Sequence, residues 1–289
     1  MTEYILKNKK NLKINSLEDN INNIINLNMN NISPLRYPGG KSKACKVLEK
    51  ILIENFDIKN FEYIISPFFG GGSFEFYIQN KYNLKIIAND KFFPLYNFWN
   101  ICKIDRECLY TELYNKINNI DKNIFIDYRK KILNEPNNLN KAIMYFIINR
   151  CSFSGATLSG GFSLESSKKR FTNSSIDRIK NLNLNNFEIL NNDFEDFINN
   201  NELLNIIIYL DPPYYLEKKS KLYGNNGDMH ENFDHIQLFN CISTKKNWIM
   251  TYNNCKYIKD LYKNFKIIET NWIYGMNKTK KSSEIVIIG

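Results

Sequence analysis

The run Ile206-Ile207-Ile208-Tyr209-Leu210 limits the fold more than any other stretch of the chain. Five apolar, mostly β-branched residues in succession read as a short strand buried on both faces. Such strands belong to sheets covered by helices on both sides. Asp211-Pro212-Pro213-Tyr214 follows at once. In an open α/β sheet the carboxyl edge of the strands is where ligands bind. Prolines fix their own φ, restrict the residue before them and remove backbone donors, so nearby carbonyls can face a ligand. The expected product is a stiff platform of a carboxylate, exposed carbonyls and a flat ring. It can grip a planar, amino-bearing base from edge and face. The plain alternative is a proline pair that ends a core strand before a loop.

The rest of the chain repeats the strand–helix rhythm. Strands are expected at residues 61–65, 84–88, 187–190, 247–251, 266–272 and 284–288. Ala44, Val47, Leu48, Ile51 and Leu52 fall at helical spacing, and another helix is expected to start near Ser73. This alternation predicts an α/β fold with a mostly parallel sheet and helices on both faces. Residues 101–185 interrupt it with polar helices, a very apolar helix over 142–148 and a Ser/Gly-rich stretch over 151–175. They read as an inserted, largely helical subdomain. It divides the main domain into a first part, 34–100, and a second part, 186–289. Residues 1–33 are rich in Asn and read as a loosely attached extension, with Ile21, Ile24, Ile25 and Leu27 able to form a short helix. His230 and His235 flank a helix start at Asp234, with Gln237 completing a capping box. Both histidines read as structural.

Composition narrows the partners. The chain of 289 residues carries 39 Lys+Arg against 30 Asp+Glu, net +9, which suits a polyanionic partner without requiring one. Its 6 cysteines include no C-x-x-C pair, so they read as free thiols and no metal is expected. No apolar leader or membrane-length run is evident, so no membrane partner is expected. The expected location is the cytoplasm, on the nucleoid, or the host cytoplasm for a viral protein.

Two further turns carry chemistry. Pro67-Phe68-Phe69-Gly70-Gly71-Gly72 joins a strand to a helix, and glycines there let the backbone approach a ligand. The helix that follows offers free N–H groups and a positive dipole end. Asp90 ends the next strand about 20 residues on, the spacing at which an acid grips ribose hydroxyls. Together they suggest an adenosine-containing cofactor. The pyrophosphate fingerprint G-x-G-x-x-G is absent, as is a Walker lysine motif, so a cofactor without pyrophosphate fits better than NAD or ATP. In Arg36-Tyr37-Pro38-Gly39-Gly40-Lys41 a turn again precedes a helix, and Lys41 with backbone N–H groups would bind a carboxylate. Taken alone, that turn reads equally well as a helix cap with a surface lysine.

Residues 36–41, 67–72, Asp90 and 211–214, in this order, resemble the Dam-like, α-group DNA adenine methyltransferases. Asn149-Arg150 leading into Ser152-Phe153-Ser154-Gly155 and Gly160-Gly161-Phe162 resembles the target-recognition segment of that family. Near the C-terminus, Asn277 to Lys281 leading into Ser283-Glu284-Ile285-Val286 resembles the same family. The resemblance covers residues 34–289. It implies a Rossmann-like methyltransferase sheet with one antiparallel C-terminal strand, a target-recognition subdomain, and S-adenosylmethionine as methyl donor. It also implies double-stranded DNA as partner, with the chain a monomer or alternatively a dimer.

Carried over residue by residue, Asp211, Pro212, Pro213 and Tyr214 hold an adenine swung out of the duplex. Asp211 and the Pro212 carbonyl accept its amino protons, and Tyr214 stacks on its ring. Tyr37 packs on the cofactor, Gly39, Gly40 and Lys41 meet its carboxylate end, and Pro67, Phe68, Gly70 and Gly72 close around it. Asp90 accepts from the ribose and Asp193 from the cofactor's adenine ring. Asn149, Arg150, Ser154, Lys168, Lys169, Arg170, Lys278 and Lys281 are the expected DNA contacts, with residues 215–233 as a flap over the base. One departure stands out: the family's acid before Pro-Phe is Ser66 here. Two other functions stay open at this point. One is methylation of cytosine or an RNA base. The other is a DNA-binding module that has lost catalysis.

Overall fold

Four stretches of the chain, residues 31–201, 203–215, 233–273 and 281–289, are described by the computed structural model. Their strands are β1 (Tyr63–Ser66), β2 (Lys85–Asn89), β3 (Phe187–Leu190), β4 (Ile206–Leu210), β5 (Trp248–Asn253), β6 (Lys266–Ile273) and β7 (Lys281–Ile288). They form one 7-stranded sheet in the order β3-β2-β1-β4-β5-β7-β6. All pairs from β3 to β5 are parallel. The C-terminal β7 slots between β5 and β6, antiparallel to both. The chain winds outward from β1 in one direction and from β4 in the other. The crevice between these two strands is therefore the topological switch point, where open α/β sheets bind ligands.

Side chains alternate across the strands and feed two apolar layers. Ile64, Ile207, Tyr209, Ile249 and Val286 point to one, and Ile65, Ile208, Leu210, Met250 and Ile285 to the other. The first layer is closed by α1 (Cys45–Asn55), α2 (Ser73–Tyr82), α3 (Phe93–Ile104), α4 (Arg106–Tyr114), α5 (Lys122–Lys131), α6 (Asn138–Cys151) and α8 (Asn173–Lys180), with α7 (Leu164–Arg170) lying against α6. The second is closed by α9 (Phe194–Asn199), α10 (His235–Ile242) and α11 (Lys256–Leu261).

The interruption expected at 101–185 is helical, but it is not walled off from the sheet. Helix α3 runs through residue 101 without a break. Helix α6 is buried almost all round, and its Phe146 stacks on Phe98 of α3 with ring centroids 5.7 Å apart. Leu109, Leu113 and Phe125 join the same apolar layer as Ile64 and Ile207 of the central strands. The last residues of the expected N-terminal extension are also fixed. Asn31 is buried and its side chain bonds Gln79 Oε1 and the Asn183 carbonyl, each at 2.8 Å. The proposed helix around Ile21–Leu27 and most of the flap, including His230, lie outside the described residues.

At α10 only half of the expected capping box forms. Asp234 accepts from the N–H groups of Ile236 and Gln237, both at 2.9 Å. Gln237 does not reach back to the cap; its amide donates to Glu195 on α9 at 2.6 Å. A cross-helix carboxylate outcompetes the local N–H for this side chain. His235 sits among Tyr215, Phe233, Tyr252 and Tyr257, its Nδ1 2.7 Å from the Tyr252 hydroxyl.

Candidate active site

The glycine turn leaves the carboxyl end of β1, and Asp211-Pro212-Pro213-Tyr214 leaves the carboxyl end of β4, its parallel neighbour. Both face the switch-point crevice. Gly70 is held on two sides: its N–H donates to Asp90 Oδ2 at 3.0 Å, and its carbonyl accepts from Trp99 Nε1 at 3.0 Å. It sits at φ +51, and a Cβ there would lie 2.8 Å from Tyr37 Cε1. Tyr37 thus packs directly on the turn because Gly70 has no side chain. Gly72, also at positive φ, is the N-cap of α2, so the helix amides open beside the turn.

Asp90 is buried, and its other oxygen accepts from the Phe92 N–H at 3.0 Å. Burial pushes its pKa up to about 6, against the opposing pull of these two N–H groups. Asp193 caps α9 through the Glu195 N–H at 3.1 Å and pairs with Lys91 at 2.7 Å. Burial acts to raise its pKa, yet the Lys91 ammonium and the cap bonds hold it below the usual carboxylate range.

Lys41 opens a short 3-10 turn ahead of α1 and is 4% exposed. Its ammonium lies 2.7 Å from both carboxylate oxygens of Asp211, 2.9 Å from the Gly39 carbonyl and 5.1 Å from the centre of the Tyr214 ring. The Thr251 hydroxyl on β5 donates to Asp211 Oδ1 at 2.6 Å. The Tyr214 hydroxyl donates to Glu284 on β7 at 2.5 Å. Burial, then the charges of Asp211 and Glu284, hold the Tyr214 phenol well above its ordinary pKa, so it stays a donor. Pro212 is buried, while Asp211, Pro213 and Tyr214 are half-buried.

Position 66, where the family pattern has an acid, finds one within reach. Ser66 donates its hydroxyl at 2.6 Å to Glu75, an enclosed residue in the first turn of α2. Burial pushes the Glu75 carboxyl up to about 7 despite the Ser66 bond, and the nearby Asp211 charge adds to the rise.

The expected DNA contacts divide. Asn149 and Arg150 face inward, contrary to the sequence reading. The Asn149 amide accepts from the Arg36 N–H at 2.9 Å and donates to the Arg36 carbonyl at 2.6 Å. Arg150 donates to the carbonyls of Arg170 at 2.6 Å and Pro34 at 3.1 Å. The pair staples residues 34–36 to the insertion, because a buried polar side chain must spend its hydrogen bonds locally. Burial, then the neighbouring Arg178, Arg36 and Arg170 guanidinium groups, lower the Arg150 pKa to about 9. Lys168, Lys169 and Arg170 are exposed at the end of α7. The side chains of Ser154, Lys278 and Lys281 lie outside the described residues.

Glu75 and Thr251 lie in no motif of the sequence, and Glu284 and Phe153 stand there only as members of longer stretches, with no role of their own. Glu75 between two phenylalanines and Glu284 heading an apolar strand were signals, since a lone acid in an apolar run must be paired or exposed. Phe153, on the turn after α6, is 69% exposed.

Residues 37–276 match the D12 class N6 adenine-specific DNA methyltransferase family. The chain belongs to that family. The match spans the Tyr37 turn, the glycine turn, the insertion and the Asp211–Tyr214 shelf. As a D12-class enzyme it methylates adenine in DNA at N6, which sets aside cytosine and RNA bases as acceptors. Among curated proteins, none matches the chain. Among the described residues, no helix is long and apolar enough to cross a membrane.

Proposed function

We propose that the chain transfers the methyl group of S-adenosylmethionine to the 6-amino nitrogen of an adenine extruded from duplex DNA. The observation that carries this reading is the meeting of the glycine turn, Lys41 and the Asp211–Tyr214 shelf at one switch-point crevice. The residues fit the donor. Gly70, with no Cβ, and Tyr37 form a close-packed cradle, and Asp90 is fixed to it by the Gly70 N–H, with carboxylate lone pairs left over that would accept from a ribose. When bound, S-adenosylmethionine supplies an electrophilic methyl on a positively charged sulfur.

The chain's own residues act on the base. The adenine amino lone pair is delocalised into the purine and is a poor nucleophile. Asp211 Oδ and the Pro212 carbonyl accept its two protons and favour a more tetrahedral nitrogen. Methyl transfer to that nitrogen would leave it with one surplus proton, which Asp211 would take up and pass to solvent. Positioning and preorganised charge supply the acceleration. Lys41, paired with Asp211, would also hold the donor's carboxylate end and so link the two sites. Lys168, Lys169 and Arg170 suit phosphates, and the projecting Phe153 ring suits contact with bases. Residues 101–185 are the segment we assign to target recognition.

Labelled methyl transfer to duplex DNA, followed by nucleoside analysis, tests the reading. N6-methyladenine is the expected product. Asp211→Ala is expected to lower turnover at least about 100-fold while the affinity for S-adenosylmethionine holds. An Asp211→Ala enzyme at near-normal turnover would refute the assignment.

A further inference from the structure

Tyr214 is tied to a strand far from it in the chain. Its hydroxyl reaches 2.5 Å to Glu284 Oε2, on a strand 70 residues away in sequence. Glu284 is 1% exposed. It stands in β7 opposite Asn253 of β5 and Thr270 of β6, so both neighbouring strands fix its backbone. A carboxylate enclosed this completely is costly unless its bonds are worth more than those of an apolar residue in its place. A second polar residue acts in parallel on the other half of the shelf, where Thr251 on β5 donates to Asp211.

We infer that Glu284 is a positioning residue for methyl transfer, which locks the Tyr214 ring in the plane where it meets the target base. The inference rests on the reading that Tyr214 stacks on the extruded adenine. A phenol anchored only through its Cβ swings about two side-chain bonds, whereas one tied at the hydroxyl keeps a single ring plane. Donation to a carboxylate also makes the ring face more electron-rich. As the N–C bond forms, the amino nitrogen carries positive charge until its proton departs. An electron-rich face beside it attracts that charge. Glu284 touches neither base nor cofactor in this role and works through Tyr214. The antiparallel β7 is then the element that delivers an acid from the centre of the C-terminal strands to the tip of β4.

Single-turnover methyl transfer by wild type, Glu284→Gln, Tyr214→Phe and the double variant tests this, with melting and cofactor affinity measured alongside. Glu284→Gln and Tyr214→Phe are each expected to slow transfer about tenfold, and the double variant to be no slower than the slower single, the mark of coupled residues. Cofactor affinity is expected to stay constant. Multiplied losses in the double variant, or either single at the wild-type rate, overturn the inference. Should Glu284→Gln not fold, Tyr214→Phe decides alone, because it removes the hydroxyl link outright, where Glu284→Gln only weakens it, and leaves the carboxylate in place. Failure of the wild type to methylate adenine would instead overturn the functional reading itself.

Discussion

Glu75 is a carboxyl that the fold would rather keep neutral. Its folded pKa of about 7 stands above the ordinary 4.5, mainly through burial. For an acid shifted upward, the native state holds its proton more tightly than the unfolded state. The associated stability is therefore complete below about pH 4.5 and is lost as pH rises toward 7. The loss is on the order of 3 kcal/mol. Glu75→Gln keeps an acceptor for Ser66 and removes the ionisation. Melting curves should coincide for the two proteins near pH 4, and the variant should be the more stable at pH 8. Equal melting at both pH values would show that Glu75 is not buried as described. Tyr214→Ala acts at the same scale on function. Stacking is worth about 1–3 kcal/mol per base, so base capture should weaken by that amount. An unchanged KM for DNA together with an unchanged kcat would count against stacking.

At the scale of elements, the glycine turn shows how one missing side chain sets a site. Gly70 is tied to β2 through Asp90 and to α3 through Trp99, and Tyr37 fills the space a Cβ would take. Gly70→Ala adds backbone strain of about 1–3 kcal/mol at positive φ and pushes the Tyr37 ring away. Cofactor affinity, measured by calorimetry, should fall more than melting temperature suggests; a variant that binds normally would separate Tyr37 from the cradle. Most elements were legible from sequence because their signals are local. The strand at 206–210 and the strand at 187–190 need only apolar runs with turn residues after them. Gly72 opening α2 and Asp234 opening α10 need only capping chemistry. What sequence could not give was pairing across the chain. Gln237 chose Glu195 on α9 over its own cap. Asn149 met the Arg36 backbone 113 residues away. Glu284 met Tyr214. Each depends on which strands and helices become neighbours, and no local pattern states that.

For the molecule as a whole, the net charge of +9 suits a polyanion such as DNA and does not say which basic groups meet it. The structure divides them by exposure. Lys168 and Lys169 lie in solvent at the end of α7, and Lys169 has only the exposed Glu165 as an ion-pair partner among the described residues. Arg150 is enclosed, and its guanidinium fastens the insertion to residues that lead into the Tyr37 turn. These placements predict opposite phenotypes. Replacing Lys168 and Lys169 with Gln should weaken binding to duplexes of any sequence. For every lysine that neutralises a phosphate, its removal should make the slope of log affinity against log salt shallower by about 0.9. Melting should barely move. Arg150→Gln should do the reverse. Hydrogen bonds from a buried charged group are worth about 1.5–3 kcal/mol, so stability should fall by about that much while the salt slope holds. Binding isotherms across a salt series, paired with thermal melts, separate the two. If Arg150→Gln lowered the slope at unchanged stability, Arg150 would be reaching phosphate, and the staple between the insertion and the cofactor turn would have to open on DNA.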